Sequence, residues 1–246
     1  MKRSRSMTLL AATLVLAPLA APAQSAGDWM FRIGPGYVSP NTSDEDLLFE
    51  GQPLDDFRID IDDQAGLAFN LSWFASQNWA VELLASAWWD HEIDGAGALE
   101  PLGRLGSVKH LPPTLSLQYH FLPDRRIRPY LGAGLNYTLL FDEDTTSGLH
   151  EGIVATANGA LGTAYAGGRT KLDIDNSFGV ALQAGVDIEI APDWFLNLDL
   201  RWIDIDADAE LTTDTFDAGG APVRLDSAID VDIDPWVATA AIGFRF

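Results

Sequence analysis

Eight stretches of this chain alternate an apolar residue with a small or polar one, a period of two that places every second side chain on one face of a β-strand. Trp29, Phe31, Ile33 and Tyr37 alternate with Arg32, Gly34 and Gly36, and Leu67, Phe69, Leu71 and Trp73 with Ala68, Asn70 and Ser72. The same rhythm runs from Trp79 to Ala87, Leu115 to Phe121 and Leu131 to Leu139. It returns, with the parity switched after residue 171, from Val180 to Ile188, Trp194 to Trp202 and Trp236 to Phe246. The last strand ends Gly243-Phe244-Arg245-Phe246, on a terminal aromatic. Eight is an even number, and no later apolar run is long enough for a membrane helix.

Connections between the strands alternate in length. Residues 75–78, 123–128 and 191–193 are short turns, whereas 40–57, 90–108, 142–171 and 207–228 are long and rich in Gly, Asp and Thr. Trp29, Trp73, Trp79 and Trp194 mark the short-turn end of their strands, and Tyr37, Phe141 and Trp236 lie toward the long-loop end. Short turns on one side, long loops on the other and an aromatic belt at each are the asymmetry of a barrel in a bacterial outer membrane. A soluble sandwich or lipocalin-like barrel also alternates, but carries charge, Lys above all, on its outer face. Here Lys is almost absent from the strands. The reading is all-β: an eight-stranded antiparallel transmembrane β-barrel with short periplasmic turns and long extracellular loops.

The N-terminus fits export. Lys2, Arg3 and Arg5 form a basic head, Thr8 to Leu19 an apolar stretch too short and too broken by Pro18 to span a bilayer, and Ala21-Pro22-Ala23 a small-residue cleavage site. The pattern predicts a signal peptide over residues 1–23 and an outer-membrane barrel over 24–246, beginning at Gln24, with cleavage after Ala26 the alternative. Zero cysteines mean no disulfide framework. The full chain has 15 Lys+Arg against 36 Asp+Glu; without the three basic residues of the signal it is 12 against 36, or −24. Such a surface repels phosphate backbones, so no nucleic-acid partner is expected. Eight Trp, twelve Phe and five Tyr separate it from the acid-rich chains that stay disordered.

Several segments carry a family resemblance. They are Arg32-Ile33-Gly34-Pro35-Gly36-Tyr37, Asn78-Trp79-Ala80-Val81-Glu82-Leu83-Leu84-Ala85 and Val108-Lys109-His110-Leu111-Pro112-Pro113-Thr114-Leu115. Arg128 to Thr138, Gln183 to Asp187, Asp204-Ile205-Asp206, Asp234-Pro235-Trp236 and the terminal Gly-Phe-Arg-Phe follow in order. With these the chain resembles the outer membrane protein W (OmpW) family. The resemblance implies an eight-stranded barrel with an apolar interior funnel that admits small hydrophobic compounds. Some relatives take up alkanes and other hydrocarbons, and some serve as bacteriocin receptors. It also implies that Leu84 narrows the funnel. At Arg201 some relatives place an aromatic residue, which leaves the width of the gate, and hence the substrate range, open.

The residues support an independent account of the interior. Strand parity turns Arg32, Glu82, Asp187, Asp199, Arg201 and Arg245 inward near the short-turn end, with Asn70, Gln118 and Asn197 nearby. An eight-stranded barrel is just wide enough for side chains to fill, and unpaired buried charge is costly, so these groups are expected to pair into a polar plug. The alternative is that this layer only holds the barrel rigid. Val38, Leu84, Leu140 and Val237 point inward nearer the long loops and are expected to line a hydrophobic funnel. Pro112 and Pro113 donate no ladder hydrogen bond, which marks them as a lateral exit toward lipid or as a plain strand terminus.

Asp204, Asp206 and Asp208 share one face of the seventh strand, and Asp230, Asp232 and Asp234 the same face of its neighbour. Facing like charges repel, so this ladder is read as a solvated extension above the bilayer, with divalent cations bridging to lipopolysaccharide as the alternative. It is not an EF-hand loop, since Ala209 stands where Gly is required. His91, His110, His120 and His150 lack zinc spacing, His91 and His150 fall in predicted loops, and no Gly-x-Ser-x-Gly elbow occurs. No enzyme activity, metal or cofactor is expected. The expected partners are outer-membrane lipid and lipopolysaccharide, small hydrophobic molecules, and the outer-membrane assembly machinery through the C-terminal strand. The leading function is a passive channel for small hydrophobic molecules with lateral release above the plug. The alternative is a structural or surface-receptor barrel, for bacteriocin or phage, that does not conduct.

Overall fold

A computed structural model describes residues 24–44, 47–49, 51–54 and 56–246 of the protein. The expected signal segment lies outside the described residues, as do 45, 46, 50 and 55 of the first expected loop. Eight strands form the barrel: β1 (Trp29–Ser39), β2 (Gln64–Phe74), β3 (Trp79–Ser86), β4 (Thr114–His120), β5 (Ile127–Thr145), β6 (Ser177–Ala191), β7 (Trp194–Ile203) and β8 (Trp236–Arg245). Each pairs antiparallel with its sequence neighbours, and β1 pairs with β8, which closes the sheet on itself. Closure leaves no free edge, the condition for placing a sheet in lipid.

The outward face is the apolar one. Trp29, Phe31, Ile33 and Tyr37 on β1, Leu115 and Leu117 on β4, and Leu182, Leu198, Leu200 and Ile242 on the last three strands are exposed, while the residues between them are buried. An apolar girdle of this extent is far larger than any patch a soluble monomer shows to water. Its lower rim is aromatic: Trp29 lies opposite Trp73, Trp79 packs on Tyr119 at 4.9 Å and Trp194 on Phe244 at 5.1 Å. Its upper rim has Trp202 opposite Trp236 and Tyr137 opposite Phe178. The step from Trp29 to Tyr37, at about 3.4 Å per residue and a tilt of about 40°, makes the girdle roughly 20 Å tall, close to a bilayer's apolar thickness in barrels of this kind.

The regions expected as long loops are instead folded, and this corrects the sequence reading. β5 runs for 19 residues, about twice the length a spanning strand needs, so its upper half stands above the membrane. A bulge between Phe141 and Asp144, with Asp142 at φ 54°, marks the transition. Arg104–Leu111, Trp89–Gly97 and Phe57–Ile61 extend that half into one sheet. A second sheet is built from Ala166–Ile174, Asp206–Phe216, Pro222–Asp232, Leu47–Phe49 and Gln52–Leu54. Helix α1 (Ser147–Leu161) packs Leu149, Ile153 and Ala157 into the core they share. Thr146 caps α1 by accepting the Leu149 N–H at 3.2 Å, and Gly162, at φ 64°, ends it. The extension forms because alternation persists above the bilayer: Ala207, Ala209, Leu211 and Thr213 turn into the core while Asp206, Asp208 and Glu210 face solvent.

Candidate functional site

Inside the barrel the expected polar residues do meet. Arg32 donates its Nε–H and Nη2–H to the two oxygens of Asp187 at 2.9 and 2.7 Å, and its Nη1–H to Glu82 Oε2 at 2.9 Å. Arg201 donates to the other Glu82 oxygen at 2.8 Å and lies 3.6 Å from Asp199. Asn197 donates to Asp187, and Gln183 to Glu82 at 3.4 Å. Arg32, Glu82, Asp187 and Arg201 are at most 1% exposed. Charge removed from water to this degree persists only where every partner is in place.

Parity brought two further members inward that the sequence reading did not single out. Tyr130 donates its hydroxyl to Asp199 at 2.8 Å and accepts from Asn197 at 3.0 Å, while Ser72 donates to Glu82. Carrying the alternation of β5 back from Gly132 turns both Tyr130 and Arg128 into the lumen. Arg128 belongs to a second, lower layer, where it pairs with Glu189 at 2.6 Å over the ring of Phe195. Arg245 sits in this lower layer too, bonded to Asp193 at 2.8 Å and 5.6 Å from the same ring, apart from the Arg32–Glu82–Arg201 network with which the sequence grouped it. Met30, Phe74, Ala80 and Phe195 fill the remaining space at the short-turn end.

Above the polar layers the interior turns apolar. Val38 and Val237 pack with Trp89, Ala181, Ile203 and Ile205. Trp89 fits because Gly36 and Gly66, opposite one another across β1 and β2, have no side chains: a Cβ on Gly66 would come within 2.6 Å of the indole. That facing pair of glycines was the sequence signal for a bulky occupant. A small cavity adjoins this layer, lined by Val38, Ile61, Val108, Leu140 and Ile233 and by the stacked rings of His91 and His110. A larger cavity lies between the two extracellular sheets and α1 and shares Ile61, Val108, Leu140 and Ile233 with the smaller one. Its lining is hydrocarbon except for Thr156 and Ser227.

Of the four residues expected to line a funnel, Val38 and Leu140 therefore face cavity space, and Val237 packs behind Val38. Leu84 is buried between Asn70 and Thr114 in register, and lines neither cavity.

Pro112 and Pro113 sit where the ladder opens. Pairing of β3 with β4 stops at Leu84 opposite Thr114 and resumes only at Trp89 opposite His110. On the β5 side the sheet stays closed, because Tyr137 donates its N–H to the Pro113 carbonyl at 3.1 Å and Leu139 pairs with Leu111. The gap is thus on one side only, and Trp88, 65% exposed, stands beside it.

The acidic ladder lies on the outer extension. Asp206 faces Asp232 and Asp208 faces Asp230, and the carboxylates of Asp204, Asp206 and Asp234 lie within 4.8 Å of one another. Partial burial and the charges of Asp204, Asp232 and Asp234 hold the Asp206 carboxyl above its usual range. The histidines are not loop residues: His91 is on the strand Trp89–Gly97, and His150 is on α1, bonded to Thr170.

The OmpW family model matches residues 25–246. Outer membrane protein W of Vibrio cholerae is 34% identical over 248 residues, covering all of both chains. Outer membrane protein W of Escherichia coli is 34% identical over 242 residues, 98% of each chain. Among solved structures, the outer membrane protein OprG of Pseudomonas aeruginosa aligns with a TM-score of 0.76 at 29% identity, over 92% of this chain and 99% of that one. A closed eight-stranded barrel with a lipid-facing girdle, matched along its whole described length in this way, is an integral barrel of the bacterial outer membrane, and the chain belongs to the OmpW family.

Proposed function

We propose that the protein is a passive channel that takes small hydrophobic molecules from the cell surface and releases them sideways into the outer membrane. The observation that carries this reading is the apolar space above the bilayer, two cavities that share Ile61, Val108, Leu140 and Ile233, set over a charged layer and next to the unpaired stretch at Pro112 and Pro113. A hydrocarbon in the cavity has exchanged water for apolar surface, worth about 0.8 kcal/mol per CH₂. To continue down the lumen it must separate Arg32 and Arg201 from Glu82, and breaking a buried ion pair costs about 3–5 kcal/mol. Leaving through the wall moves it from one apolar surroundings to another. The polar layers then serve as a floor, and the gradient together with partition into lipid sets the direction.

The test is uptake of a labelled medium-chain alkane by cells with intact outer membranes. Strains lacking the protein would be compared with the wild type, with Leu140→Arg, which puts a charge in the wall shared by the two cavities, and with the pair Pro112→Val and Pro113→Val, which restores two ladder donors. Surface expression is confirmed in each. Faster uptake with the wild type, lost in Leu140→Arg and reduced in the proline pair, is the expected result. Equal rates in all strains overturn the channel reading, and full activity of the proline pair overturns lateral release alone.

A further inference from the structure

The smaller cavity is apolar except for Thr138, His91 and His110. Thr138 has its hydroxyl committed, donating to Asn136 Oδ1 at 2.7 Å. His91 is different. Its Nδ1 lies 2.7 Å from the Asp62 carbonyl oxygen, and a carbonyl only accepts, so Nδ1 carries the proton. The neutral ring is then left with a bare lone pair on Nε2. That atom is buried and has no hydrogen-bond partner among the described residues, while His91 as a whole is 2% exposed. Burial lowers the affinity of this imidazole for a second proton, and the nearby carboxylates of Asp90, Asp62 and Asp63 do not cancel the effect. His110, stacked on it at 4.8 Å with 13° between the rings, is held down to about 3 by burial, so the pair stays uncharged. The stack also fixes the plane of His91 and hence the direction of its lone pair.

An acceptor held dry and unpaired is costly unless something completes it. What completes it must bring a donor, must be compatible with hydrocarbon walls, and must reach a chain of strongly negative charge. A carboxylate has no donor and is repelled; an ammonium loses its hydration. A neutral hydroxyl on a hydrocarbon body meets every condition. We propose that His91 Nε2 accepts a hydrogen bond from the hydroxyl of a medium-chain alcohol or a phenol, so that the cavity prefers such molecules to hydrocarbons of the same length. The preference rests on the reading of these cavities as the path of hydrophobic molecules, and it narrows the substrate class of that path. The hydroxyl sits beside the histidines, and the body points toward Leu140, which also lines the larger space.

The experiment compares 1-nonanol with 1-methoxyoctane, which has the same number of heavy atoms and no donor, as ligands of the whole protein in lipid nanodiscs. One neutral hydrogen bond predicts about 3- to 10-fold tighter binding of the alcohol. His91→Phe, which keeps the ring and the stack, is expected to abolish that ratio without weakening the ether. With only four histidines in the chain, ¹⁵N-histidine spectra supply a readout needing no variant: the acceptor nitrogen of His91 should shift with 1-nonanol and not with the ether. Equal affinities with the ether still bound, or an unmoved His91 signal, overturn this inference and leave the channel standing. Binding of neither ligand overturns the cavity as a path for hydrophobic molecules as well.

Discussion

Replacing Glu82 with Gln tests whether the charged layer holds the barrel together. The carboxylate serves two guanidiniums at once, Arg32 on Oε2 and Arg201 on Oε1, and also accepts from Ser72. An amide has the same outline but one accepting oxygen; its NH₂ would face an N–H donor of whichever arginine it does not serve. One charge-assisted bond becomes a donor–donor contact, the other keeps only the charge of its arginine, and two buried cations remain with less compensation. Removing one partner from a buried pair costs about 3–5 kcal/mol. The control is Glu92→Gln on the extracellular sheet, whose bridge to Arg104 joins side chains 46% and 47% exposed and should contribute under about 1 kcal/mol. Urea unfolding in lipid vesicles, followed by tryptophan fluorescence, measures both. Equal losses for Glu82→Gln and Glu92→Gln would refute the claim that this layer is a paired, buried core.

Two further outcomes are expected. His110 is held to about 3 when folded, below its ordinary 6.5, so the unfolded chain binds its proton first and stability falls as pH drops below 6.5 toward 3. By pH 4.5 the loss from this group is about 3 kcal/mol, and His110→Phe, compared with the wild type by unfolding at pH 7.5 and 4.5, should remove that share; identical pH profiles would contradict it. If Asp204, Asp206 and Asp234 hold a divalent cation with a Kd near ~1 mM, then ~10 mM calcium stabilises the protein by about 1.4 kcal/mol and Asp206→Asn abolishes the gain. An unchanged Tm assigns the ladder to solvent.

The spanning strands were legible because lipid imposes one rule on every outward position, and Phe31, Leu117 or Leu198 obey it without exception. Parity also turned Arg32, Glu82 and Asp187 inward. Height inside the lumen was not legible. Leu84 and Val38 are both inward and apolar, but staggered register sets Leu84 between Asn70 and Thr114 and Val38 opposite Val237. The layer that Arg245 joins was not legible for the same reason: a long side chain is located by its partner, Asp193, which alternation does not identify. The extracellular sheets escaped notice because their inward residues include Ala207, Ala209, Thr213 and Thr215, small or hydroxylated, set among acids that resemble loop composition. Helix α1 was hidden by Gly148, Gly152 and Gly159, poor helix formers tolerated through its packing; Gly152 leaves room for Leu102.

The two cavities and the two arginine layers are built from residues with little in common: above, aliphatic side chains supplied largely by the extracellular sheets; below, ion pairs tied across the lumen between barrel strands. The barrel's cohesion therefore does not depend on what the upper chamber is shaped to hold. Swapping Leu102, Ile153 or Leu172 for other aliphatics reshapes the chamber while every ion pair of the floor stays intact. In a lineage exposed to changing chemistry, the part of the molecule that meets the environment is free to diversify, and the part that anchors it in the membrane is not put at risk by the trial.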